Sequence, residues 1–293
     1  MNRRSFLSGA LALCCTSACT RRRPKATGGS KNFTEQLILG ELLAQYLAER
    51  GVPVERRFYL AGTYICQQAI LTGRIDTYVE YTGTALAAVL DEKYSGDPGS
   101  VYGQVKEGYK QRFNLEVLPP LGFNNSFAMV MRGEDARRLG IASLSQLEAH
   151  HDLRLGVGYE FLERQDGYSG LVRTYELNFA GDPQVMDLGL LYRALQNGSV
   201  DIVAGNNTDG LIQALGLVVL DDDKHYFPPY DAVPIVRPDA LSKFPDIDVA
   251  FRQLAGKISA QDMRAMNYAV DGEKQDSQMV VRQFLAGINN QIR

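Results

Sequence analysis

The sequence predicts an α/β protein of two similar lobes, with a chain that crosses between them twice, and three observations carry that prediction. Segments with strand-like and helix-like apolar spacing alternate along most of the chain, the pattern of parallel sheets flanked by helices. The stretch Ala69 to Thr84, AILTGRIDTYVEYTGT, also repeats its grammar at Ala194 to Gly210, ALQNGSVDIVAGNNTDG. In each, an Ala is followed four residues later by a Gly, then by a β-branched residue and an Asp: Ile75-Asp76 in one, Val200-Asp201 in the other. Finally, two Pro pairs, Pro119-Pro120 followed by Gly122 and Pro228-Pro229 followed by Tyr230, mark rigid changes of direction. Two unrelated helix–strand units can share such punctuation, so the repeat alone leaves that reading open as well.

The elements follow in order. Thr34 can cap a helix whose Leu37, Ile38, Leu42, Leu43, Tyr46 and Leu47 fall on one face, and Gly51 ends it. Ser30, Lys31 and Asn32 therefore stand just before a helix N-terminus, a position that suits an anion. Val54 to Leu60 reads as a strand, 61–73 as loop and helix, and Ile75 to Val79 as a strand. A helix starts near Thr82 and runs to Leu90; residues 92–100 are a polar loop, 101–113 a helix, and Phe123 to Met131 a long strand. Ser143 to His150 reads as a capped helix, 153–161 as strand and loop, 167–177 and 186–198 as helices, 200–207 as strand and loop, and Val218 to Leu220 as a strand. Residues 232–237 form a strand, and helices fill the rest to Arg293.

The repeat also places two positions. Tyr81 and Asn206 each lie five residues after the Asp, at the carboxyl end of a strand, where open α/β sheets bind ligands. If two similar lobes face one another, both positions look into one cleft. Asp76 and Asp201, equivalent in the two units, read as a shared structural cap.

Composition bounds the function. The 293 residues, 45% of them hydrophobic, suffice for a well-packed globular protein, and 22% charged residues with a formal net charge of −3 leave no basic footprint for nucleic acid beyond the short Arg21 to Lys25 cluster. Residues 1–18 read as a signal peptide: Arg3 and Arg4 precede an apolar run from Phe6 to Ala18 that is too short to span a bilayer. RRSFL resembles the twin-arginine export motif in part, so two export routes stay open. Removing residues 1–18 takes away two Arg and no acids, which moves the charge from −3 to −5. Thr16-Ser17-Ala18-Cys19 resembles a bacterial lipobox, which makes Cys19 a lipidation site, with Thr16 departing from the usual Leu or Val. Residues 19–28 then read as a lipid-anchor tether. The expected organisation is thus 29–120 plus 229–293 as lobe one and 121–228 as lobe two. Only Cys66 remains in the folded body, so no internal disulfide is expected, and Cys66 reads as a small buried apolar residue.

Enzyme signatures are missing from the sequence: it contains no GxSxG elbow, HExxH, P-loop, or GxGxxG after a strand. His150, His151 and His225 lack ligand spacing and read as solvated surface, and the Asp221 to Asp223 run reads as a solvated turn, with a weak calcium site as the lesser alternative. No cofactor or metal is expected.

Six segments taken together carry a family resemblance: GSKNFTEQ, IDTYVEYTGT, FNNSFAM, YEFLERQDGYSGL, TDGLI and DDKHYFPPYDAVPIV. In this order they resemble the substrate-binding proteins of osmoprotectant ABC importers, which take up glycine betaine, choline, carnitine and related quaternary ammonium compounds. The resemblance covers Gly29 to Arg293. It implies a two-lobed periplasmic binding protein fold (type II) with two hinge crossovers. It further implies a small-molecule quaternary ammonium or zwitterionic ligand in the cleft, an ABC permease with its ATPase as partner, and a place in the periplasm or on the outer face of the cytoplasmic membrane. A trimethylammonium group has no N–H to donate, so ring faces must hold it, at about 0.5 to 2 kcal/mol per cation–π contact.

Mapped by motif, Tyr81 and Tyr230 match two cage tyrosines, and Phe127 stands where the family usually has Tyr. Asn206 stands where another ring is common, a departure that points to fewer ring faces and more hydrogen bonding, hence to weak betaine binding or to a larger, more polar zwitterion such as carnitine. Lys31, Thr84 and Arg164 match positions that contact a betaine carboxylate. Gln36, Thr63, Asn124, Thr208 and Asp209 are further candidates for the lining. The rival readings are a receptor for an amino acid or other polar zwitterion on the same scaffold, favoured by Asn206, Asn207 and Asp209, a secreted enzyme using Asp76 or Glu80, and a ligand sensor for a regulator.

Overall fold

The structure, a computed structural model, describes residues 24–93 and 97–292. The expected signal peptide and Cys19 lie outside the described residues.

The chain builds two five-stranded sheets with the same plan. One sheet takes β1 (Ala26–Gly29), β2 (Val54–Arg57), β3 (Thr77–Tyr81), β4 (Glu116–Val117) and β10 (Ala232–Val236); the other takes β5 (Phe127–Arg132), β6 (Leu155–Val157), β7 (Gln184–Val185), β8 (Ile202–Asn206) and β9 (Leu217–Val219). Their orders, β2-β1-β3-β10-β4 and β7-β6-β8-β5-β9, correspond strand for strand. The repeated grammar is therefore structural. Asp76 Oδ2 accepts from the amide of Thr27 at 2.8 Å, and Asp201 Oδ2 accepts from the amide of Arg154 at 3.0 Å. Each Asp thus ties its strand's start to the neighbouring strand, as a shared cap.

Both sheets are mixed, where mainly parallel sheets were expected. β10 runs antiparallel to β3 and β4, and β5 antiparallel to β8 and β9, whereas β1 and β6 pair only in parallel. The reversed strands are the two that enter a sheet directly from the other lobe. Each enters without a helical crossover from its own sheet, the connection a parallel neighbour requires.

β1 is a correction. Residues 26–28 were expected in the tether, but Ala26–Gly29 forms an inner strand between β2 and β3, with Ala26 in the core. Its small side chains give it no strand-like hydrophobic pattern. They fit where the neighbours come close: a Cβ on Gly29 would lie 2.6 Å from Ile75 Cδ1. β3 begins at Thr77, two residues later than expected, and β5 begins at Phe127 instead of Phe123.

Helices cover both faces of each sheet. In lobe one α1 (Thr34–Glu49) is buried along most of its length against α11 (Asp246–Leu254), α12 (Ala260–Asp271) and α13 (Ser277–Ile292), while α2 (Thr63–Leu71) and α4 (Pro98–Phe113) cover the other face. The N-cap of α1 is Phe33, one residue before the expected Thr34, whose hydroxyl instead donates to Asp271 Oδ1 at 2.6 Å. Gly51, with φ +82, ends this helix as expected. In lobe two, α6 (Tyr159–Glu163) and α7 (Tyr168–Tyr175) flank β6; sequence patterning gave α6 as loop because it spans a single turn or so. Ser143 caps a 3₁₀ turn, Leu144–Ala149, through a capping box. Cys66 is buried in α2, and burial pushes its thiol up to about 12.

The two crossings between lobes lie side by side. Backbone bonds Leu118 N to Pro234 O, Leu121 N to Ala232 O and Asn125 N to Tyr230 O hold them antiparallel, and Asn124 bridges Asp231. This paired ribbon is the hinge.

Candidate functional site

A cavity of about 540 Å³ lies between the lobes. Tyr81, the last residue of β3, and Asn206, the last residue of β8, both line it, as their equivalent places in the repeat require. Lys31, Thr84, Phe127, Arg164 and Tyr230 line it too. The seven positions mapped first by motif therefore meet on one cavity. The five further candidates, Gln36, Thr63, Asn124, Thr208 and Asp209, are not among its described lining residues. They do other things. Gln36 accepts from the amide of Lys31 at 3.4 Å, Asn124 sits in the hinge ribbon, and Asp209 accepts from Tyr192 Oη at 2.5 Å and from the amide of Asn206 at 2.9 Å. Burial pushes the Asp209 carboxyl up to about 7.

The rings come from five places in the chain. Phe127 opens β5, Tyr230 ends the return crossing, and the two stand edge to face with centroids 5.7 Å apart. Phe161 and Phe227 extend the cluster, at 4.9 Å and 5.9 Å from Phe127. Phe33 stacks on Tyr81 at 6.4 Å and lines the cavity. Sequence reasoning passed over Phe33 because it reads only as the start of a helix. Gly83, in the turn α3 (Thr82–Thr84), makes room for Tyr230: a Cβ there would lie 2.7 Å from the Tyr230 ring and 2.8 Å from Pro229 O. The chain continues from Thr84 into a π-helical stretch, Ala85–Val89, a wide turn often found at functional sites.

Both mapped cations are already paired. Lys31 Nζ donates to Glu80 Oε1 at 2.5 Å in full burial, and the same oxygen accepts from the amide of Tyr81 at 2.8 Å. Glu80, weighed above as an enzyme carboxylate, is thereby occupied. Arg164 grips Asp166 with two N–H groups, Nε at 2.8 Å from Oδ1 and Nη2 close to Oδ2. Tyr230 Oη also donates to Asp166 Oδ2, at 2.6 Å. Burial raises the Tyr230 hydroxyl well above its ordinary value, and the negative Asp166 adds to the shift, so the ring stays neutral with its proton toward Asp166. The guanidinium carbon of Arg164 stands 4.9 Å from the Phe127 centroid and 6.0 Å from that of Tyr230, and Lys31 Nζ 5.2 Å from that of Tyr81.

Beneath Tyr81 lies a carboxylate that the motifs did not reveal. Glu35, buried in the first turn of α1, accepts from Tyr81 Oη at 2.7 Å, Asn125 Nδ2 at 2.7 Å, Thr208 Oγ1 at 2.6 Å and Asn267 Nδ2 at 3.0 Å. These donors come from lobe one, the hinge, lobe two and α12. Burial raises the Glu35 carboxyl above its ordinary value, against the opposing effect of those four hydrogen bonds. Two further bridges join the lobes: Glu160 at the start of α6 accepts from the amide and hydroxyl of Thr63, at 2.5 and 3.1 Å, and Gln165 Nε2 donates to Asp91 Oδ1 at 2.5 Å. Thr63 is thus a contact between lobes at the N-terminus of α2. Among the described residues no cluster of three or more His, Cys, Asp or Glu is placed to hold a metal ion.

Residues 27–287 match the family described as the substrate binding domain of ABC-type glycine betaine transport systems. The chain is 36% identical over 270 residues to a glycine-betaine-binding protein of Pseudomonas aeruginosa, covering 88% of this chain and 86% of that one. It is 33% identical over 261 residues to the carnitine transport binding protein OpuCC of Listeria monocytogenes, covering 88% and 84%. A solved structure described as a glycine betaine/carnitine/choline ABC transporter superposes with a TM-score of 0.74 at 30% identity, covering 90% of this chain and 98% of that one. The two-domain architecture with two mixed sheets and flanking helices is the type II periplasmic binding protein fold of such structures.

Proposed function

Because the chain belongs to the family of substrate-binding domains of ABC-type glycine betaine transport systems, we infer that its interlobe cavity holds a quaternary ammonium zwitterion, with Tyr81, Phe127 and Tyr230 around the cation. The protein is an extracytoplasmic solute-binding receptor of an ABC importer for betaine-type osmoprotectants, handing solute to a permease without making or breaking a bond.

The observation that carries the site reading is what the rings already do. Phe127 and Tyr230 face a guanidinium and Tyr81 an ammonium, all within the distance at which a ring quadrupole attracts a cation. A trimethylammonium head, which has no N–H to donate, is drawn to ring faces by the same attraction. Arg164 and Thr84 are the contacts for the carboxylate, with Lys31 close by on the other lobe; Asp166 and Glu80 hold the two cations in place and balance their charge. Asn206, beside Phe127 in the β5–β8 register, adds a polar group where a ring would otherwise stand, which favours a hydroxylated zwitterion such as carnitine over glycine betaine. Closure then follows from residues of both lobes touching one guest.

Residues 26–120 with 229–293 as one lobe and 121–228 as the other is the division we propose, the start moved from 29 to 26 by strand β1, and Cys19 in Thr16-Ser17-Ala18-Cys19 is the proposed point of lipid attachment. Titration calorimetry of the purified protein against carnitine, glycine betaine, choline and unmethylated amino acids tests the ligand class. Heat with the trimethylammonium compounds is expected; binding confined to an unmethylated amino acid would refute it.

A further inference from the structure

The cavity is larger and more apolar toward its mouth than a betaine head requires. At about 540 Å³ it falls within the range of about 300–1,000 Å³ typical of pockets for drug-sized ligands, far beyond a five-carbon betaine. The cage and its ion pairs form the buried end. The opposite end is walled by Tyr64 and Ile65 on the first turn of α2, by Tyr159 at the start of α6, and by Val185 at the end of β7 with Met186 and Leu188 just beyond it. These side chains come from both lobes and line the same cavity as the cage. Tyr64 is 47% exposed, Ile65 53%, Tyr159 67% and Val185 47%, so apolar surface on facing walls stands open to water. The carboxylates among them are turned to protein donors: Glu160 to Thr63, and Asp187 Oδ1 to the amide of Gly189 at 3.0 Å. The mouth is a concave surface dominated by apolar side chains, with Asn32, Glu160 and Asp187 as its polar groups, continuous with the ring cluster.

We propose that this mouth is a second subsite, for an apolar substituent of several carbons borne on the quaternary ammonium zwitterion held by the cage. The proposal rests on the reading of the cage given above and adds the chemistry of the ligand's far end. Covering these side chains with hydrocarbon removes exposed apolar area from both lobes at once, so a longer ligand both gains burial and favours closure. A guest confined to the cage leaves the same surface wet.

The test uses O-acyl carnitines on the full protein: carnitine, then its acetyl, butyryl and hexanoyl esters, by titration calorimetry. Each buried methylene adds up to about fourfold in affinity, so the hexanoyl ester is expected to bind at least about tenfold more tightly than the acetyl ester, with a more negative heat-capacity change. In the double variant Ile65→Ser, Val185→Ser, with its fold checked by circular dichroism, the ratio between the two esters is expected to fall to within about threefold of unity. Affinity that is flat or falls with chain length while carnitine binds overturns the subsite alone, and so does a ratio unchanged in the double variant. Failure of carnitine and every ester to bind while glycine betaine or choline binds overturns the subsite alone; failure of all of these compounds overturns the cage reading and the subsite with it.

Discussion

The hydroxyl of Tyr81 donates to the carboxylate of Glu35 at 2.7 Å, and the other oxygen of that carboxylate accepts from Thr208 of the opposite lobe at 2.6 Å. One buried acid therefore ties a ring of the cage to the contact between lobes. Moving the lobes apart at this point would break a bond to the same carboxylate that holds the Tyr81 hydroxyl.

Glu35→Gln keeps the size of the side chain but turns an amide N–H₂ toward groups that themselves donate. With a buried donor left unsatisfied at about 1–3 kcal/mol, the variant is expected to lose about that much stability and to bind trimethylammonium ligands several-fold more weakly. Denaturant unfolding and calorimetry read the two effects. Unchanged values for both would mean that Glu35 does not couple ring and lobe.

Tyr230 separates its two jobs by substitution. Tyr230→Phe keeps the ring face and loses only the hydrogen bond to Asp166, so a modest loss of affinity is expected; Tyr230→Leu removes the face and should cost about 0.5–2 kcal/mol more, roughly 2- to 30-fold. Equal affinities for the two variants would show that the ring face contributes nothing.

Gly83→Ala is expected to be worse than its size suggests. Its new methyl would fall 2.7 Å from the Tyr230 ring and 2.8 Å from a backbone oxygen, and overpacking of this kind costs about 1–3 kcal/mol. Both melting temperature and ligand affinity should drop, because the group displaced is a wall of the cage. A variant with wild-type melting and affinity would place the ring elsewhere in solution.

Arg164→Lys retains a positive charge but cannot reproduce the two-pronged grip on Asp166. If Arg164 serves the ligand's carboxylate, carnitine and glycine betaine should lose about tenfold or more in affinity while choline, which has no carboxylate, changes less. A parallel loss for all three would assign Arg164 to the scaffold alone.

Asp209 makes stability depend on pH. Its carboxyl is pushed up to about 7 in the folded protein by burial, against an ordinary 3.8, so the folded state holds a proton that the unfolded chain has released. The stabilisation is complete below about pH 4 and is lost as pH rises through 7. The wild type should therefore melt at a lower temperature relative to Asp209→Asn at pH 8 than at pH 5, by about 2–4 °C for each kcal/mol of linkage. A constant difference between the two proteins across that range would exclude Asp209 as the titrating group.

Local pattern was enough for much of this protein. The repeat around Asp76 and Asp201 was legible because a strand start and its cap lie within a few residues of one another, and the two strands that follow put Tyr81 and Asn206 at equivalent ends. Phe127 and Tyr230 were legible only through the family resemblance of the segments FNNSFAM and DDKHYFPPYDAVPIV, and the structure brings both to the same cavity.

Other features depend on residues far apart in sequence, and no window of sequence contains them. β1 has little hydrophobic pattern and is a strand only because β2 and β3 flank it. Lys31 and Glu80, 49 residues apart, become a buried ion pair only where the first loop meets β3. The meeting of Glu35 with Thr208 and Asn267, and the facing of Ile65 by Val185 and Tyr159 across the mouth, likewise exist only once both lobes are folded and docked. The sequence determined two α/β lobes, because alternating strands and helices follow from local backbone and periodicity, and its resemblance to a known family pointed to three of the rings; tertiary structure alone decided how the charges pair and how far the cavity extends, because these depend on which distant groups share the same low-dielectric space.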